Sequence, residues 1–359
     1  MKIAVIKANA SHPGGLEKQA KKIIEGFIQA GMDVKLPSIP PLHGPNFLRL
    51  KRFNRKATEW IDQEKPDIIF GMDRTDNITH LRAGNGVHAA YLKIRRQHEG
   101  LIKHWICQIN PLHRTILDLE KKGFESPQLR TLFVNSEMVK KEASEHYQID
   151  PRKIEVLHNG VEWDEMEEPF NSWPKQKESL LKQYKLPQDA IHLLFAGSGF
   201  QRKGLDLLLR ALHLANLPHL HLSIVGKDKN SDHYQALVHQ LKLQSQVTFF
   251  GLQPSLIPFY QYSDILCIPS LYDPFANVTV EGLAMGLFVI TSKQNGGHEI
   301  VKPGAGLILD LNTIETWADA LRLFAASKEE KKGTWIRQTV AHLTFTCQLQ
   351  KLIQITCKI

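Results

Sequence analysis

Asp273 and Glu281, two carboxylates with seven residues between them, lie in the stretch YDPFANVTVEGLAMG, Tyr272 to Gly286. Its first half is turn-forming and its second half is apolar and small, so a helix should begin near Asn277. Acids on either side of such a junction can accept hydrogen bonds from separate hydroxyl-rich parts of one ligand. The first amides of the helix, at Asn277 and Val278, offer unpaired N–H groups to phosphate. Some seventy residues earlier, the run GSGFQRKGLDLLLRAL, Gly197 to Leu212, leaves a strand-like segment and enters a helix-like one. Arg202 and Lys203 stand between Gly197 and Gly204 at that junction. Two adjacent cations there can neutralise a diphosphate, and the arginine adds a planar fork suited to phosphate oxygens.

Both runs follow apolar segments of strand length, and the chain alternates such segments with helical periodicity. In the first half, strands are expected at residues 2 to 8, Met32 to Lys35, Asp67 to Gly71, Thr131 to Asn135 and Glu155 to Leu157. A helix with apolar positions Ile23, Ile24, Phe27 and Ile28 should follow the first strand. In the second half, strands are expected at Ile191 to Ala196, His221 to Val225, Val247 to Phe250, Ile265 to Pro269 and Phe288 to Thr291. The alternation implies an α/β protein with helix-covered parallel sheets. Residues 162 to 189 are acidic and Pro-punctuated without a sustained strand pattern, so the domain boundary is placed just after Gly160. This gives domains of residues 1–160 and 161–340, and a terminal helix over 341–359 within a helical segment from Thr334 to Lys358. Gly226 and Gly251 close two strands at the carboxyl edge, where open α/β sheets bind ligands.

Other candidates are single or short. The turn Ser11-His12-Pro13-Gly14-Gly15 lacks the G-x-G-x-x-G spacing of a dinucleotide fold, but Gly14 and Gly15 allow backbone to approach a phosphate or sugar. The phrase RAGNGVH, Arg82 to His88, can form a tight loop through Gly84 and Gly86 with His88 turned toward a ligand. The four cysteines, at positions 107, 267, 347 and 357, match no zinc or redox spacing, so no metal cluster is expected.

At 359 residues and 42% hydrophobic content the chain can bury two cores, and disorder is excluded. The first ten residues hold too short an apolar run for a secretory leader, and no stretch has membrane-span length, so a cytoplasmic protein is expected. Residues 1 to 160 carry 26 Lys and Arg against 18 Asp and Glu, which accounts for the whole net charge of +8. The cluster RLKRFNRK, Arg49 to Lys56, interleaves cations with Leu50 and Phe53, and further cations follow at Lys93, Arg95, Arg96 and Lys103. That pattern suits peripheral attachment to an anionic membrane surface, with the apolar residues entering the interface. Nucleic acid is not an expected partner, because no recognition motif accompanies the charge.

The Asp273–Glu281 spacing resembles the acid, seven residues, acid motif of family 4 retaining glycosyltransferases, and Gly197 to Gly204 resembles the Gly-rich, Arg-Lys-Gly element of the same family. RAGNGVH is similar to an element of its lipopolysaccharide core glucosyltransferase group, with Asn85 standing where an acid is common. The resemblance spans nearly the whole chain. It implies the GT-B fold: two Rossmann-like domains facing a central cleft, with the last helix crossing back to the first domain. It further implies a metal-independent hexosyltransferase that needs no cofactor. The donor would be a nucleotide diphosphate sugar, UDP-glucose-like, and the acceptor a lipopolysaccharide core or similar envelope glycan. Arg202, Lys203 and the amides of Asn277 and Val278 would stabilise the diphosphate, Glu281 would accept from ribose, and Asp273 and His88 would face the transferred hexose. Gly14, Gly15, Gly197, Gly226 and Gly251 would line the donor, and Arg82 and Asn85 the acceptor side. A non-hydrolysing sugar-nucleotide epimerase and a catalytically silent nucleotide-sugar binder remain alternatives on the same fold.

Overall fold

The computed structural model describes residues 1–7, 15–98, 109–326 and 333–358. Gly14 and the basic residue Lys103 lie outside them. The chain divides into two compact units, Met1–His158 with Gln348–Ile359, and Asn159–Cys347.

Among the described residues the first unit holds six parallel strands: β1 Lys2–Ile6, β2 Asp33–Lys35, β3 Ile68–Gly71, β4 His80–Arg82, β5 Thr131–Val134 and β6 Ile154–Val156. They lie in the order β2-β1-β3-β4-β5-β6. Ile3, Ala4, Val5 and Ile6 are all buried, as a strand covered on both faces requires. On the helix Gly15–Gln29, Ile23 and Phe27 face the core, whereas Ile28 is 55% exposed. The terminal helix Phe345–Cys357 contributes Leu349, Leu352 and Ile353 to the same core. Gly26 makes this packing possible, since a Cβ there would lie 2.9 Å from Leu349. The expected helix over 334–358 is interrupted between Gln338 and Phe345.

The second unit repeats the plan with β7 Ile191–Ala196, β8 Leu220–Val225, β9 Val247–Gly251, β10 Ile265–Ile268, β11 Phe288–Ser292 and β12 Gly306–Leu309. All its strand pairs are parallel, in the order β12-β11-β10-β7-β8-β9. The acidic segment after Gly160 is no linker. Glu167–Gln183 is a helix, despite Pro174, and it buries Phe170 and Leu181 in the core of this unit.

The basic cluster corrects one expectation. Arg49 to Lys56 lies on the helix Asn46–Glu64, where Phe53, Ala57 and Ile61 recur every four residues and form its buried face. Phe53 is only 8% exposed and is not available to a membrane, while Lys51, Arg52 and Arg55 remain on the surface. Among the described residues no helix is long and apolar enough to cross a membrane.

Two buried histidines make the fold acid-sensitive. His80 shares a hydrogen bond with Thr79 Oγ1 (2.9 Å), and His192 Nε2 lies 2.9 Å from the carbonyl of Pro187. Nδ1 of His192 is buried without a hydrogen-bond partner among the described residues. Burial lowers both pKa values to about 4, with Arg130 adding to the effect at His80. The unfolded chain therefore binds these protons near pH 6.5 and the folded chain only near pH 4. Their stabilising contribution is complete above 6.5 and is lost as pH falls through 4, on the order of 3 kcal/mol for each. Urea midpoints measured from pH 7 to pH 4 should fall steadily, and a flat profile would contradict the neutral buried state.

Candidate functional site

At the carboxyl edge of the second sheet, β7, β8 and β9 end together on glycines. The N–H of Gly197 donates to Val225 O (2.9 Å), and that of Gly226 to Gly251 O (2.8 Å). A Cβ on Gly226 would lie 2.1 Å from the Gly197 carbonyl, so this convergence excludes a side chain. Gly204, with φ +76°, precedes the helix Leu205–Ala215, and a Cβ there would collide with the Pro269 carbonyl. These close backbone approaches set the loop that carries Arg202 and Lys203.

Both cations converge on one carboxylate oxygen. Arg202 Nη1 donates to Asp273 Oδ2 (3.0 Å) and to the Tyr272 carbonyl (2.9 Å), and Lys203 Nζ donates to Asp273 Oδ2 at 2.6 Å. Asp273 Oδ1 accepts from Phe275 N (3.2 Å). Burial pushes the Asp273 carboxyl up, but Lys203 and Arg202 outweigh it and hold the group below the usual carboxylate range. Asp273 thus fixes the two cations in place. Lys203 is 12% exposed in its side chain and Arg202 38%, so the arginine presents the more open face.

The Asp273 loop is tied to the loop after β11. Asp273 N donates to Gln294 O, and Gly296 N to Asp273 O, each at 2.9 Å. Asn295, fully buried between them, uses its whole amide: Oδ1 accepts from Ala276 N (2.9 Å) and Gly297 N (3.1 Å), while Nδ2 donates to Thr279 Oγ1 (3.0 Å) and Thr291 Oγ1 (2.9 Å). Ala276 is the residue before the helix Asn277–Ala284, so Asn295 satisfies one amide of that helix start. Among the described residues, the N–H groups of Asn277 and Val278 have no protein acceptor. Two further groups brace this helix: Asn159 Nδ2 donates to Asn277 Oδ1 (2.7 Å), and Arg337 donates to the carbonyl of Ala284 at the opposite end. Sequence reasoning missed Asn295. The Asn-Gly-Gly run two residues after an apolar strand is the signal that marks it.

On the same helix, Glu281 is half-buried and accepts from the hydroxyl of the buried Tyr260 at 2.6 Å. Burial raises the Glu281 carboxyl above its ordinary value, opposed by the Tyr260 hydrogen bond and by Lys203.

The first unit contains a separate cluster. Arg82 ends β4, and the exposed Asn85 lies in the following loop, which Asn135 grips through Gly84 O (3.0 Å). His88 opens the helix His88–His98. Its N–H donates to both oxygens of Glu120 (2.8 and 2.9 Å), a fully buried carboxylate that also accepts from Arg74 Nε (2.6 Å) and the Tyr147 hydroxyl (2.7 Å). Arg74 Nη2 further donates to Gly86 O (2.9 Å), and His88 Nε2 lies 3.0 Å from His113 Nδ1. Burial, with help from Arg74, lowers the pKa of His88 to about 4, so the ring is neutral near pH 7. Burial also lowers Arg82 to about 10. Gly15 begins the helix Gly15–Gln29. The roles of Glu120 and Arg74 were not legible, because ILDLEKKGF reads as an ordinary charged helix. Among the described residues no group of three or more His, Cys, Asp or Glu is placed to hold a metal ion.

Two family models divide the chain between them. Residues 13–165 match Glycosyltransferase Family 4, and residues 176–339 match Glycosyl transferases group 1. The chain belongs to the family 4 glycosyltransferases. An uncharacterized glycosyltransferase of Methanocaldococcus jannaschii, MJ1607, is 26% identical to it over 313 residues, 80% of this chain and 79% of that protein. The D-inositol 3-phosphate glycosyltransferase of Corynebacterium aurimucosum is 28% identical, with the match covering 61% of this glycosyltransferase and only 55% of the relative. Among solved structures, WaaG, a glycosyltransferase involved in lipopolysaccharide biosynthesis, superposes with a TM-score of 0.80 over 99% of this chain and 100% of its own, at 19% identity. HepE of Anabaena, solved with UDP and glucose, gives a TM-score of 0.71 over the full length of both chains at 15% identity. These likenesses establish the GT-B fold for this glycosyltransferase.

Proposed function

We propose that this protein is a metal-independent, retaining hexosyltransferase. In this reading it moves a hexose from a UDP-glucose-like donor to a lipopolysaccharide core or similar envelope glycan. The observation that carries the reading is the pair Arg202 and Lys203, held by one buried carboxylate in the same unit as a helix start with two unpaired amides. As the bond from the anomeric carbon to the diphosphate weakens, negative charge grows on the leaving group. Cations and amides fixed before the reaction stabilise that charge without reorganising, which is the role a divalent ion fills elsewhere. Both Asp273 oxygens are engaged by protein donors, so Asp273 acts by holding the cations. His88, neutral and fixed at its helix start by Glu120, would offer a hydrogen bond to the hexose. The presence of UDP and glucose in the HepE structure and the involvement of WaaG in lipopolysaccharide biosynthesis support the choice of donor and acceptor.

A panel of nucleotide sugars tests this by thermal shift and by turnover. A UDP-hexose should raise the melting temperature and be consumed only when a lipid-linked or core glycan acceptor is present. Conversion of the donor without acceptor would favour an epimerase, and binding without turnover a silent binder.

The protein should also associate with anionic membrane through charge alone. Lys51, Arg52 and Arg55 are exposed; Arg52 donates to His43 O (3.1 Å) and Arg55 pairs with Glu59 (3.5 Å). Replacing all three with glutamine should weaken binding to anionic vesicles, by about 1 kcal/mol per cation at low salt, and spare transfer to a soluble acceptor. Unchanged vesicle binding would reduce the cluster to a solvated face.

A further inference from the structure

We infer that Tyr260 is a positioning residue that makes Glu281 selective for a nucleotide carrying both ribose hydroxyls. The inference rests on the donor reading above, in which Glu281 receives the ribose.

Glu281 lies on a helix and is half-buried, a setting in which a carboxylate could rotate between several ligand geometries. Tyr260 removes that freedom. Its ring is 1% exposed within the core of the second unit, on the short helix Ile257–Tyr262, and its hydroxyl meets Glu281 Oε2 at 2.6 Å. A tyrosine ring seated in a packed core cannot follow a moving partner, so the bond fixes the plane of the carboxylate. Oε1 is left with no hydrogen-bond partner among the described residues, and Oε2 keeps one lone pair. Two acceptor sites at a fixed spacing match two adjacent hydroxyls. A ligand lacking one hydroxyl leaves an acceptor unpaired in a half-buried setting, and such loss is more costly than a missing contact in water. Lys203, one of the two cations assigned to the diphosphate, also acts electrostatically on this carboxylate and favours its charged form. The sequence offers no hint of this pairing, since Tyr260 stands twenty-one residues before Glu281 in an apolar segment.

The test compares the parent protein, Tyr260→Phe, Glu281→Gln and the double variant by titration calorimetry with UDP and 2′-deoxy-UDP, and with the ADP and GDP pairs in parallel. Phenylalanine keeps the buried ring, so folding should be retained. The parent should prefer the ribonucleotide by about tenfold or more. Tyr260→Phe should bring that preference to within about threefold, chiefly by weakening the ribonucleotide. The double variant should lose no more selectivity than Glu281→Gln alone, because the tyrosine acts through the glutamate. Should Tyr260→Phe fail to fold, Glu281→Asp withdraws the carboxylate from the hydroxyl with both groups kept, and it should show the same loss. Parental selectivity in Tyr260→Phe, or additive losses in the double variant, would overturn the inference and leave the donor reading standing. A parent that binds none of these diphosphates would overturn the donor reading itself.

Discussion

Arg202→Ala and Glu281→Gln should each lower hexose transfer by roughly a hundredfold or more while leaving a folded protein, the scale seen when a preorganised charge partner is removed. The two changes act differently. Arg202 is the more exposed of the two cations on Asp273, and Lys203 remains to pair that carboxylate when the arginine is truncated. Its loss should fall mainly on kcat, because the charge it opposes grows only as the leaving group departs. Glu281→Gln retains the acceptor for Tyr260 but offers one fewer acceptor to hydroxyls, so its loss should fall on donor affinity as well. Near-normal turnover in both variants would remove the assigned donor site.

Asp273→Ala should be more damaging to the fold than to any single contact. It removes the carboxylate that Lys203, 12% exposed, pairs with directly, leaves Arg202 with the Tyr272 carbonyl, and takes Asp273 Oδ1 from the Phe275 N–H. Breaking a buried ion pair from one side costs about 3–5 kcal/mol. In a unit of this size that corresponds to a fall in melting temperature on the order of 10 °C. Asp273→Asn keeps the shape and one acceptor for Phe275, and should be intermediate. Calorimetry of both variants checks the order, and an alanine variant as stable as the parent would show that the carboxylate does not hold the cations.

The strand plan was legible where apolar residues were contiguous, as at Ile3–Ile6 or Leu193–Phe195, because strands buried on both faces need that composition. It failed at β4 and β12. In His80-Leu81-Arg82 the one apolar residue is flanked by polar side chains that the fold buries or half-buries, and the buried His80 shares a hydrogen bond with Thr79. Gly306–Leu309 is short and follows a Pro-Gly turn, so it reads as loop until β11 pairs with it. Phe53 reads as surface-facing in sequence because its cationic neighbours mask the four-residue spacing to Ala57 and Ile61.

The site was legible in its charges and not in their supports. Arg202, Lys203, Asp273 and Glu281 announce themselves by type and spacing, and the structure gathers the first three into one ion cluster. Asn295 and Tyr260 do their work by holding other residues still. Neither carries a charge, and each meets its partner through tertiary packing between segments the sequence does not join. Glu120 is the same case in the first unit: four donors from three other segments converge on a carboxylate that looks solvent-facing in sequence.

The central claim is that fixed protein cations and amides carry a retaining transfer that other enzymes assign to a metal. The measurement that bears on it most directly is the anomeric configuration of the product, read by NMR from a reaction run in excess EDTA. The account predicts an α-linked product from an α-linked UDP-hexose, formed at the same rate as without chelator. An inverted β-linked product, or activity that returns only when magnesium or manganese is restored at constant ionic strength, would contradict it.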